Sequence, residues 1–282
     1  MSTLGYWVIR TYLAGMIGEK IKYWVPGEKP SRSERRLKAD IRQQQRNEAS
    51  AEKRMARLVH ANFTEGGKFI TLTYDDGHMV KITASIAADS KDYENELYHV
   101  AHHQLQLWLR RVRTECAKQG VEFRYIAVTS DVSSKTGEVV RPHHHIILNE
   151  EAAEIALSKW KNGKTNWKWL DSDLDKTELV EYILRQVRRL PDKKKYIPSR
   201  NLIVPQPKDR VAVNGAELAV PKNGQLLKRA EFSPGMPQYI RYILPEVGQI
   251  KKEIKKREQK TPASAAQGGV CARTRGRRKA RE

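Results

Sequence analysis

Cysteine is nearly absent: Cys116 and Cys271 stand far apart in a chain of 282 residues. The pair offers neither a disulfide framework nor a metal-binding spacing, and it fits a reducing compartment. No apolar run approaches the ~18–20 residues of a membrane span. The opening stretch MSTLGYWVIRTYLAGMIG is only mildly apolar and is interrupted by Arg10. It has no basic start and no small-residue cleavage site, so no secretory signal is expected and the location reads as cytoplasmic. No G-x-x-x-x-G-K-[ST] stretch occurs, which excludes a phosphate-loop motor within these residues. There is no internal repeat. Acidic charge is scarce: 33 Asp and Glu face 53 Lys and Arg, for a net charge of +20. The basic residues are spread along the chain, and such an excess favours a polyanionic partner, nucleic acid first.

Periodicity divides what is present. SRSERRLKADIRQQQRNEASAEKRMARLVH, residues 31–60, has no Gly or Pro and reads as a charged helical arm. Ser31 with Glu34 forms a candidate capping box, while Leu37, Ile41, Met55 and Leu58 make a thin apolar face. KFITLTYDD reads as a strand, and MVKITASI as its hairpin partner across Asp76-Gly77. Residues 93–118 carry a helical stripe of Leu97, Val100, Ala101, Leu105, Trp108, Leu109, Val112 and Cys116. His99 and His103 fall opposite that stripe and read as solvated. FRYIAVTSD and VVRPHHHIIL form a candidate antiparallel pair around the turn SSKTGE. Residues 151–160 and 174–190 read as helices. VAVNGAELAV carries an Asn-Gly hairpin signal, and MPQYIRYIL reads as a short helix. From about Gly248 the chain turns Lys-, Ala- and Arg-rich, the composition of a disordered basic tail.

Two stretches carry chemistry. In RPHHHIILN side chains alternate between strand faces, so His143 and His145 point one way while His144 points the other way with Ile146 and Leu148. Two imidazoles so placed are a candidate divalent-ion site with open positions for a phosphate and water. In DKTELVEYILRQVRRLP the apolar stripe is Leu179, Val180, Ile183, Leu184, Val187 and Leu190. Tyr182 lies about 120° from its centre and shares a face with Glu178, Arg185 and Arg189. Arginines there could hold a phosphate beside the phenol. Each feature alone has a plainer reading: a polar strand edge, and a rim tyrosine on a basic helix.

Taken in order, FITLTYDD, RPHHHIIL and EYILRQ resemble the three motifs of the HUH endonucleases. More narrowly they resemble rolling-circle replication initiators of bacterial plasmids, phages and integrated elements, as do LVHANFTEGGKFITLTY and KYIPSRNLIVP. The likeness covers roughly residues 35–205. It places the family's histidine pair on His143 and His145, with His144 in the hydrophobic slot between them. It places the nucleophile on Tyr182 and a basic residue on Arg185, where many members have lysine. Many relatives carry a glutamate ligand on the preceding strand. Here Ser130 stands near that slot and Asp131 beside it, and Asp131 is the candidate third ligand.

The resemblance implies an α+β fold: a central antiparallel sheet with helices on its faces. To this the residues add a basic helical N-terminal arm and a disordered basic C-terminal tail. The expected division is an N-terminal segment with that arm (1–60), a nickase domain (61–205), an accessory hairpin and helix extension (206–247) and the tail (248–282). The implied activity is a single-tyrosine nickase-ligase on single-stranded origin DNA. It would use Mg²⁺ or Mn²⁺ and form a 5′-phosphotyrosine and a free 3′-hydroxyl. A host helicase and polymerase would be the partners, with no membrane. Arg185 and Arg189 are candidate DNA contacts, and Glu178 is a candidate general base for a later hydrolytic cleavage. A single-tyrosine transposase or mobilisation relaxase shares this chemistry, and a non-catalytic basic DNA-binding protein shares the charge.

Overall fold

Alternating β-branched and aromatic residues in KFITLT form strand β3 (Gly67–Thr73), the first strand of a five-stranded antiparallel sheet. The computed structural model describes residues 5–27, 41–63, 66–87, 89–170, 174–188, 194–212, 217–230 and 238–245, with side chains from 50 onward in the helix that starts at 41. The sheet's other strands are β4 (Tyr125–Val132), β5 (Val139–Asn149), β6 (Thr165–Trp169) and β7 (Ile197–Pro198), in the order β6-β3-β5-β4-β7. In β5 the register sets His143 opposite Thr73 and Ser130, and His145 opposite Thr71 and Val128.

Each face of this sheet is covered by helices whose apolar stripes meet it. Helix α3 (Tyr93–Lys118) buries Ala101, Leu105, Trp108, Leu109, Val112 and Cys116 against Ile70, Leu72, Ala127, Ile146 and Leu148. The short helix α4 (Ala153–Ser158) joins that layer. On the opposite face, helix α1 (Ile41–Asn62) buries Met55, Leu58 and Val59. Beside it, helix α5 (Thr177–Arg185) buries Val180, Ile183 and Leu184, and both pack on Phe69, Ile126, Val128 and Ile147. The α+β architecture with helices on both faces of a central antiparallel sheet is therefore as the sequence predicts.

A second five-stranded antiparallel sheet was not anticipated. It joins both ends of the unit formed by residues 1–244, in the order β8-β1-β2-β10-β9. Strands β1 (Tyr6–Ala14) and β2 (Ile17–Val25) form a hairpin closed by a two-residue turn with Gly15 at φ 57. That is the conformation glycine adopts freely at the first turn position. Strand β8 (Lys208–Ala212) pairs with β1, and β10 (Gln238–Ile243) pairs with β2 and with β9 (Gln225–Ala230). Helix α1 carries the link between the sheets. Arg57 donates to the buried Glu19 of β2 at 2.6 Å and lies over the Tyr12 ring, while Lys53 lies over Tyr239 of β10.

Four local expectations change. MVKITASI is no hairpin partner: Asp75 accepts from the His78 N–H and caps helix α2 (Asp76–Thr83), and β6 takes the edge of β3 instead. QYIRYI in MPQYIRYIL is strand β10, because β2 offers it a ladder that no local signal encodes. The tyrosine helix stops at Arg185 instead of running to Leu190, where the Gln186 N–H turns back to the Ile183 carbonyl. Val211 and Ala212 pair with β1; Val213, the Asn214-Gly215 turn, the Ser31–Glu34 cap, Arg189, Leu190 and the basic tail lie outside the described residues.

Candidate active site

The histidine strand β5 is central in its sheet, so its side chains are held on both sides. His144 sits on the α3 face, fully buried, with Nε2 2.8 Å from the Tyr74 hydroxyl and edge-on contacts to Tyr74 and Trp160. Burial holds its pKa well below the ordinary value, so it stays neutral and belongs to the packing. His143 and His145 share the opposite face, with ring centroids 4.9 Å apart. Tyr182, on α5, stands beside them: its ring centroid is 6.1 Å from that of His145, and the residue is 44% exposed. The phenol is thus open to a large substrate while its helix is anchored by the stripe beneath it.

The end of α5 is tied to the neighbouring strand. β4 bulges between Ser130 and Val132, and the freed Asp131 and Val132 N–H groups both donate to the Gln186 carbonyl at 3.2 Å. That bond pair fixes Gln186 one turn after Tyr182. Its side chain is buried, its Nε2 donates to the Tyr182 carbonyl at 3.2 Å, and its Oε1 lies 3.3 Å from His143 Nε2. The ring orientation of His143 follows from its other nitrogen. Nδ1 lies 3.1 Å from the Arg141 carbonyl, which can only accept, so Nδ1 carries a proton. His143 Nε2 therefore faces an amide oxygen whose orientation the Tyr182 carbonyl sets.

His145 completes the arrangement. Its Nδ1 is 3.2 Å from the Thr71 hydroxyl, and its Nε2 is buried with no hydrogen-bond partner. Burial and the neighbouring His143 push its pKa down to about 4, so the ring is neutral near pH 7; in the tautomer that donates from Nδ1 to Thr71, Nε2 carries the lone pair. Two imidazole nitrogens and one amide oxygen are a donor set that fits a divalent cation when each ring presents its Nε2 lone pair. Ser130 faces the same side opposite His143, and its hydroxyl is buried without a partner.

Asp131, the candidate third ligand, lies elsewhere. It alternates with Ser130, and its Oδ2 accepts from Arg188 Nε at 2.8 Å. The same guanidinium reaches Glu94 and Asn95 at the start of α3, which places the carboxylate on the α3 side of the sheet. Burial raises the Asp131 pKa and Arg188 opposes that rise. Among the described residues no group of three or more His, Cys, Asp and Glu could hold a metal. The third donor that the fold brings to the histidine pair is Gln186. No feature of the residue pattern alone marks Gln186 as a ligand. Its spacing of four residues from Tyr182 only puts it on the same helix face. Glu178 is exposed one turn before Tyr182, and Arg185 is exposed and pairs with Glu181 at 3.3 Å.

The sheet thus carries a histidine pair on one strand with a tyrosine helix packed beside it. Residues 67–190, from β3 through α5, match the family model of the replication-associated protein ORF2. The segment is similar to that family, a match consistent with a rolling-circle replication initiator of the HUH type. No curated protein and no solved structure matches the chain.

Proposed function

We propose that this chain initiates rolling-circle replication by nicking single-stranded origin DNA through Tyr182. One observation carries the reading: the exposed phenol stands beside two histidines on one strand face, His145 with a buried unpartnered Nε2 and His143 with its Nε2 3.3 Å from the Gln186 Oε1. His143, His145 and Gln186 would hold Mg²⁺ or Mn²⁺, which when bound polarises the scissile phosphate. His145, neutral and buried, keeps its ring fixed against Thr71 and Phe69, which stacks on it at 5.3 Å. Tyr182 oxygen forms a bond to phosphorus and the bond to the 3′ oxygen breaks, leaving a 5′-phosphotyrosine and a 3′-hydroxyl. The phenol proton leaves and a proton reaches the departing oxygen, so the step is balanced without a nucleotide cofactor. The phosphotyrosine retains the bond energy, so the reverse attack reseals the strand. The 3′ end then primes a host polymerase, and a host helicase unwinds the template.

The family match favours an initiator over a transposase or relaxase with the same chemistry. The test is incubation with single-stranded candidate origin DNA and Mn²⁺, followed by a denaturing gel. A covalent protein–DNA band is expected with the wild type and none with Tyr182→Phe, while DNA affinity stays largely intact. An adduct formed at wild-type rate by Tyr182→Phe would overturn the assignment.

A further inference from the structure

The edge strand β6, TNWKW, is exposed at all five positions. It carries two tryptophans that no part of the candidate site uses. Trp167 and Trp169 alternate to the same face of the strand and are 43% and 47% exposed. They pair across to Ile70 and Lys68 of β3. Lys68 is 8% exposed, and its ammonium lies 4.3 Å and 4.5 Å from the two indole centroids. The rings meet edge to face, 6.0 Å apart at 85°. One buried cation thus stands over both indoles and restrains them from folding onto the apolar core, while their remaining surface stays in water.

Two large aromatics side by side on an exposed edge strand are a surface on which another molecule can pack. Charge selects it. Lys161, Lys164 and Lys168 flank the two rings and are exposed, and the chain carries a net charge of +20. A second copy of this chain would bring like charge to like charge. A ligand with flat π faces and a negative backbone suits both features. We propose that Trp167 and Trp169 are a stacking platform for bases of single-stranded DNA flanking the nick. The proposal rests on the reading of Tyr182 as the nucleophile of a single-strand nickase.

The topology connects the platform to the chemistry. β6 is two strands from β5, roughly 10 Å in the plane of the sheet. The indoles lie on the α3 face, while Lys168 between them turns to the other face, 5.9 Å over Phe69. Phe69 in turn stacks on His145. A strand leaving the indoles therefore rounds the edge beside Lys168 and arrives on the face where His145 and Tyr182 stand. Stacking accepts every base, so the platform gives grip without reading sequence.

The experiment uses the full chain and oligothymidylate in EDTA, so that binding is read without nicking. Trp167→Ala/Trp169→Ala should weaken binding by roughly tenfold to a hundredfold, with the log–log salt slope unchanged because indoles neutralise no phosphate. Trp167→Phe/Trp169→Phe should keep most of the affinity yet lose most of the tryptophan quenching seen on titration. Lys168→Ala should flatten the salt slope by about 0.7. Wild-type affinity in the Ala pair, or undiminished quenching in the Phe pair, overturns the platform. Equal losses on duplex DNA overturn it too, since paired bases cannot stack on the rings. If the Ala pair fails to fold, quenching in the Phe pair still decides. DNA that is bound through these rings but never joined to Tyr182 would overturn the nicking assignment and leave the platform standing.

Discussion

At the scale of single residues, the site is decided by lone pairs that have no donor to meet. Gln186 and Asp131 are competing third ligands, and their surroundings predict opposite behaviour. Gln186→Ala should lower Mn²⁺ affinity by at least roughly tenfold, and Gln186→Glu should restore or exceed it, because the carboxylate keeps an oxygen and adds charge. Asp131→Asn should leave Mn²⁺ affinity unchanged. It should lower stability by about 1–3 kcal/mol, since Arg188 loses its buried partner. Calorimetric Mn²⁺ titration of the three variants checks this; reduced affinity in Asp131→Asn with full affinity in Gln186→Ala would return the ligand role to Asp131. Glu178 is exposed one turn before Tyr182, and on the proposed mechanism it is the candidate base for water attack after a first nick. Glu178→Ala should still form the adduct yet fail at the second, hydrolytic cleavage on a two-origin template. Equal loss at both steps would make it a structural residue.

At the scale of elements, the tyrosine helix depends on anchors at both ends. Its far end is tied by Gln186 to the β4 bulge. Its near end is held through Asp175, which contacts His60 of α1 at 3.3 Å, the Thr177 hydroxyl and Arg241 of β10 at 3.0 Å. Burial alone would raise the Asp175 carboxyl, but these partners hold it well below the usual carboxylate range. A depressed acid stabilises the fold fully above its unfolded pKa of about 3.9 and loses that contribution as pH falls toward the folded value. The urea stability difference between wild type and Asp175→Asn should therefore be about 1 kcal/mol smaller at pH 3 than at pH 6. A difference that does not change with pH would mean that Asp175 carries no net ionic contribution. The helices of this layer were legible because their apolar stripes repeat at 3.6 residues. Their ends were not: where α5 stops depends on a bulge in a strand some fifty residues earlier.

At the scale of the molecule, charge and topology divide the work. The basic C-terminal stretch lies outside the described residues, and its Lys- and Arg-rich composition makes it a candidate for phosphate contacts. Deleting residues after Gly248 should reduce the log–log salt slope on single strands by about 0.7 for each phosphate left without its cation. The weakening should be similar for all sequences, and an unchanged slope would mean that this stretch does not touch DNA. The second sheet belongs to the same scale. Its strands come from residues 6–25 and 208–243, both outside the segment that matches the replication-associated family. Through Arg57–Glu19 and Arg241–Asp175 it braces the two helices that cover the site.

The central antiparallel sheet with helices on it came from the resemblance of its motifs, while the sequence alone determined what strand alternation and helix period can encode: most of the strands and helices, the shared facing of His143 and His145, the packing role of His144, and the exposure of Tyr182. Those properties are local, since each depends on where a side chain points within its own element. Tertiary structure decided the rest. It drew Asp131 to Arg188, brought Gln186 to His143, turned MVKITASI into a helix and QYIRYI into a strand, and joined the two ends of the unit in one sheet. Each of these outcomes is set by a partner distant in the chain, and ion pairs and strand ladders between distant segments leave no periodic trace in the order of residues.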